Sequence, residues 1–100
     1  MMPNTLSRAI LALLALSALT VGLWALIAPE SFYDDFPGGG RSWVSVDGPY
    51  NEHLVRDVGA LNLALALITI VALIRLAPTM VLAAAGAWLV WSTPHFIYHA

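Results

Sequence analysis

Histidine and carboxylate side chains recur in this sequence at the spacing of one helical turn. In "PYNEHLVRDVG", Pro49 to Gly59, His53 and Asp57 lie at i and i+4 and so share a helix face. Glu52 and Arg56 have the same spacing on the adjoining face, in the favourable acid-before-base order. "PHFIYHA", Pro94 to Ala100, places His95 and His99 at i and i+4 as well. Imidazole and carboxylate suit zinc, iron, manganese or copper, and this spacing allows both rings of a pair to reach one ion. The site predicted on that basis is a divalent-metal cluster. Its ligands would be His53, Asp57, His95 and His99, with Glu52 outside them or acting as a base. H-x-x-x-H alone is a weak signal. The glutamate that follows the first histidine of a catalytic zinc helix is absent, its place and the next two being Phe96, Ile97 and Tyr98. The competing reading makes these side chains interfacial anchors, holding helix ends against lipid headgroups. Enzyme and non-enzyme readings both stay open.

A cluster of this kind needs elements to bring its parts together. Apolar residues make up 60% of the 100 and charged residues 10%, with a mean hydropathy of +0.81. So short a chain has too little interior to hide that much apolar surface, so lipid must cover it. There is no cysteine, which excludes disulfides, thiolate metal sites and thiol catalysis. Lysine is absent too, and four arginines in a chain of net charge −2 give nucleic acid no electrostatic footing. The serines have no glycine elbow around them, which leaves a serine hydrolase unsupported.

Apolar runs predict an all-α, integral-membrane helical bundle of three spans in a single domain, residues 1–100. The spans are expected at about 6–28, 54–75 and 79–98. The first is too long, and its "LIA" ending too poor a cleavage site, for a signal peptide. Between the first two spans lies a long irregular wet loop, about 29–53, whose "PGGGR" (Pro37 to Arg41) reads as a flexible connector. Its aromatics Phe32, Tyr33, Phe36, Trp43 and Tyr50, like Trp24, Trp88 and Trp91, read as a belt at the membrane interface. Pro78 suits the first position of the third helix, which is expected to break or kink at Pro94.

The tight turn at Arg75 to Thr79 makes spans two and three antiparallel neighbours. The entrance of span two, with Glu52, His53 and Asp57, and the exit of span three, with His95 and His99, are therefore expected on one membrane face. Small residues recur every four positions, as in Ala18 and Gly22, Ala60 and Ala64, and Ala83 and Ala87, spacings that let helix backbones approach in lipid. A proton-coupled transporter ranks last, because only Asn62, Thr20 and Thr69 are polar at mid-depth.

"SFYDDFPGGGRSWVSVDGPYNEHLVRDVGALNLALAL", with "PHFIYH", resembles a set of small uncharacterised multi-spanning bacterial membrane proteins. The distinctive pieces are N-E-H-x-x-R-D-x-G (Asn51 to Gly59) and P-H-x-x-Y-H (Pro94 to His99). More loosely, the chain is similar to the DoxX-like group of four-helix membrane proteins, some of which are linked to redox and quinone chemistry. The resemblance implies a bacterial inner (plasma) membrane, and a fourth span that is either missing from a fragment or supplied by a homo-oligomer or another membrane subunit. The amino terminus is expected on the cytoplasmic side. Besides metal binding, the other expected function is that of a structural or accessory membrane subunit.

Overall fold

The computed structural model describes residues 4–99 and contains no strand among them. Four helices follow one another: α1 (Asn4–Ile27), α2 (Pro29–Asp35), α3 (Glu52–Arg75) and α4 (Pro78–His99), with a 3-10 turn at Ser45–Asp47. Of these, α1, α3 and α4 are long and apolar enough to cross a membrane. At 24, 24 and 22 residues they measure about 36, 36 and 33 Å. Every expected span end lies within two residues of a helix end.

The buried positions of α1 are Leu11, Ala15, Ala18, Gly22 and Ala25, and those of α3 include Val55, Gly59, Asn62, Ala66, Thr69 and Ala72. Along both, each step is three or four residues, the periodicity of a helix seam. Most of these side chains are small, as helices in lipid require when they associate by close packing rather than by expelling water.

The chain forms two compact units, one of residues 17–64 and the other of the segments up to Leu16 and from Leu65 onward. In the first, α1 and α3 are antiparallel and meet at two glycines. A Cβ on Gly59 would stand 2.6 Å from the Leu26 backbone nitrogen and 2.8 Å from the Gly22 carbonyl oxygen. One on Gly22 would stand 2.7 Å from Leu63 Cδ2. Backbone therefore packs on backbone here, with no room for a methyl group at Gly59.

Ala25, Phe32 and Val55 form the buried cluster of this unit, packed by Val21, Trp24, Phe36 and Val44. Its rings pack edge to face, Trp24 on Phe32 at 5.8 Å between centroids and Phe36 on Trp43 at 6.2 Å. The helix α2 lies within the stretch expected to be irregular. Pro29 presets its first turn, Glu30 favours its amino-terminal end, and Phe32 gives it a side chain to bury. The "PGGGR" stretch is a closed turn rather than a loose connector. Gly38, Gly39 and Gly40 all take positive φ, the Gly38 amide donates to the Asp35 carbonyl at 2.6 Å, and Trp43 N–H donates to Phe36 at 2.9 Å.

In the other unit, Leu11, Ala72 and Ala84 form the buried cluster, with Leu73, Leu76, Met80 and Val81 around it. The α3–α4 turn is as expected, with Pro78 opening α4. Leu76 ends α3 in the left-handed region, at φ 50°, its amide donating to Ala72. The fully buried Thr69 hydroxyl donates to the Leu65 carbonyl at 2.7 Å and accepts the Trp88 indole N–H at 2.9 Å. Trp88 thus serves as a helix-to-helix bond rather than a belt residue. Helix α4 does not break at Pro94 but continues to His99.

Gly59→Ala is expected to destabilise the protein by about 2–3 kcal/mol through overpacking. Gly86→Ala, whose new Cβ meets nothing within 4 Å, is expected to be neutral or to stabilise by up to about 1 kcal/mol. Unfolding of both in bicelles, followed by circular dichroism, checks the contrast.

Candidate functional site

Most named positions of N-E-H-x-x-R-D-x-G have a structural task at the start of α3. Asn51 caps the helix, its Oδ1 accepting the Leu54 amide at 3.0 Å. Glu52 accepts Arg56 Nε–H at 3.2 Å, as the spacing predicts. Arg56 also reaches across to α1, where its Nη1 donates to the Leu26 carbonyl at 2.7 Å. Leu26 belongs to the last turn of α1, whose carbonyls lack partners within their own helix, and a guanidinium suits that negative end. His53 Nε2 lies 2.9 Å from Asp57 Oδ2, with the two side chains 85% and 60% exposed. Gly59 is the close contact with α1. An arginine plays a related part in the other unit, where Arg8 Nη1 donates to the Leu73 carbonyl in the last turn of α3 at 3.5 Å.

The second motif forms an aromatic ladder on α4. The Trp91 and His95 rings stack at 4.7 Å with 18° between their planes, and His99 follows at 4.6 Å from His95. Trp88 lies at 6.0 Å from Trp91, which continues the ladder inward. From Leu89 to His99 every residue is exposed except the half-buried Ser92.

The structure therefore brings His53 to Asp57, Glu52 to Arg56, and His95 to His99, each pair by one turn of its own helix. Among the described residues, no group of three or more His, Asp or Glu side chains is placed to hold a metal ion. Asn62, which could have relayed hydrogen bonds, donates to Val58 of its own helix at 2.9 Å. Near the motif, Tyr50 packs on Tyr33 at 5.2 Å. Desolvation, and after it the Glu52 and Glu30 carboxylates, pushes its phenol above the ordinary value, so it stays neutral around pH 7. The Asn51 cap, the Arg56 reach to Leu26 and the Trp88–Thr69 bond are among the polar contacts that sequence reasoning missed. Asn before an acidic first turn is a readable cap signal, whereas the other two depend on helix rotation.

All ionisable side chains of α1, α3 and α4 lie in the first or last two turns of their helices. Together with three helices able to cross a bilayer, this defines an integral membrane protein. Residues 6–97 match a domain of unknown function (DUF4345), and the chain belongs to that family. This agrees with the resemblance to small membrane proteins without an assigned role; it adds nothing to the looser DoxX-like likeness. No curated protein and no solved structure matches the chain.

Arg56→Ala is expected to cost about 1–2 kcal/mol, since it removes a charge-assisted bond from a helix end. His53→Ala and Asp57→Ala are expected to cost about 0.5 kcal/mol or less, as exposed pairs do. Parallel denaturation of the three variants gives the order.

Proposed function

We propose that the protein is a structural or accessory membrane subunit whose α4 docks against a second copy of the chain. The observation behind this is the uneven burial of the helices. Within the most apolar window of each, 28% of residues are buried in α1 and in α3 but only 6% in α4. Ala83, Ala87 and Val90 follow one another on α4 at helical spacing, and the space beside Gly86 is open. Small residues so spaced allow two copies of one helix to approach closely, and a two-fold pairing closes on itself. Arg8 and Arg75 lie in segments without an acidic side chain, whereas Arg41 and Arg56 share residues 30–57 with all six carboxylates. The arginine count is even, two on each side. A cytoplasmic amino terminus therefore rests on the tight turn at Arg75 and on the acidic loop leaning outward, and a multi-pass helical chain fits a bacterial inner (plasma) membrane.

Because the chain has no native cysteine, single replacements report cleanly. Oxidation of Gly86→Cys in native membranes is expected to give a covalent dimer of the chain, and Leu13→Cys on the exposed side of α1 is expected to give none. Absence of the Gly86→Cys dimer rules out this docking mode.

The second reading, metal binding, rests on the adjacency of His95 and His99. Two nitrogen donors fall short of the three or four protein ligands usual for zinc. Elemental analysis of the purified protein beside a His95→Ala/His99→Ala variant decides it. Near-stoichiometric metal in the parent and none in the folded variant would establish the site, whereas the accessory-subunit reading expects none in either.

A further inference from the structure

We propose that the unit formed by the start of α1, the end of α3 and α4 binds one anionic glycerophospholipid. A cavity of about 420 Å³ there is walled by Leu76, Val81, Leu82 and Ala85, with Asn4 and Ser7 as its polar residues. A second cavity of about 100 Å³ shares Ser7, Val81 and Ala85 and extends to Leu14. From Asn4 to Leu14 the pair follows α1 for roughly 15 Å. The polar residues lie at the Asn4–Ser7 end, and beyond them the walls are aliphatic. An acyl chain fits that form: long, narrow, and wet at one end only. A helix, about 10 Å across, does not fit a slot of this volume.

Charge at the wet end selects the headgroup. Arg8 follows Ser7 in the chain, and Arg75 precedes Leu76, so both guanidinium-bearing residues adjoin cavity-lining positions. The Arg8 guanidinium donates to the Leu73 carbonyl in the last turn of α3, the helix that ends at Arg75. No Asp or Glu occurs in residues 1–16 or 65–100 to neutralise them. Two arginines, each next in sequence to a residue that lines the slot, match a phosphodiester headgroup with its chain in the slot. The left-handed turn at Leu76 makes this possible, since it ends α3 immediately after Arg75 and gives the Leu76 side chain to the wall.

Native mass spectrometry tests the proposal on the detergent-purified chain equilibrated with equal amounts of phosphatidylglycerol and phosphatidylcholine. The wild type is expected to retain one phosphatidylglycerol in preference to phosphatidylcholine. Arg8→Gln and Arg75→Gln are each expected to lower that preference about five-fold, the effect of about one kcal/mol per arginine at a lipid surface. Ala85→Phe, filling the slot, is expected to abolish retention of both lipids. Leu82→Trp, at a position 73% exposed, is a second filling variant that the fold tolerates. Equal retention of the two lipids by the wild type overturns the proposal. So does undiminished retention in a filled variant of native helicity, or displacement of the bound lipid by inorganic phosphate, which would mark a free-anion site instead.

Discussion

The backbone contact between Gly22 and Gly59 sets the terms on which residues 17–64 pack. In lipid, two apolar helices gain nothing by hiding from their surroundings, and what holds them together is dispersion between closely fitted surfaces. Dispersion falls off steeply with distance, so the helices profit only where the backbones themselves can touch. At Gly59 a Cβ would stand only 2.6 Å from the Leu26 nitrogen. Ala18 and Ala25 on α1 keep the surface beside this contact shallow, and in the other unit Ala15 on α1 and Ala66 and Ala72 on α3 are likewise small and buried. The two polar members, Asn62 and Thr69, return their donors to carbonyls of their own helix and so leave no polar group unsatisfied in the seam.

Tight antiparallel packing has a consequence at the helix ends. Each of the two helices finishes beside the start of the other, and the last turn of each presents carbonyls without partners. Arg56 on α3 answers the end of α1, and Arg8 on α1 answers the end of α3, the second more distantly. Charged residues that look like chemistry in the sequence thus complete the ends of helices. Glu52 then balances Arg56, and Asn51 supplies the cap that starts α3. The N-E-H-x-x-R-D-x-G pattern is mostly accounted for by a helix start set against a helix end, with a glycine one turn further for the crossing.

Period and composition made the spans legible to within two residues, because a run of apolar side chains long enough to cross a bilayer has few other uses. Local spacing was equally reliable: both i,i+4 pairs of α3 form as contacts, as does the histidine pair of α4. Spacing, however, fixes only what lies on one helix. Whether two helices turn the same faces inward depends on their rotation, and in this chain small residues set that rotation, not the polar ones. Spacing suggests the cluster of His53, Asp57, His95 and His99, and among the described residues no group of three or more such side chains is placed to hold a metal ion. Trp88 was misread for a related reason. Tryptophan near a span end usually marks the interface, but its indole N–H needed a buried acceptor, and Thr69 on another helix provides one. Helix α2 was missed because its signals, Pro29 and one buried ring, are shorter than any periodic pattern.

Helix α4 follows a different rule from the other two. Its single buried residue, Ala84, and the Trp88–Thr69 bond fasten its first three turns. Beyond Trp88 the only half-buried residue is Ser92, whose hydroxyl donates to Trp88 of the same helix. The outer half of α4 is thus held within the chain by its own hydrogen bonds and by rings stacked along one face. A segment with so few packed contacts lies at the low end of local stability. Metal coordination needs ligands fixed by a supporting shell, and among the described residues the rings packed on His95 and His99 are Trp91, Tyr98 and each other. A neighbour packed along α4 would supply what the chain itself does not. On the proposed docking it would order this half of the helix and turn an exposed row of rings into a contact surface.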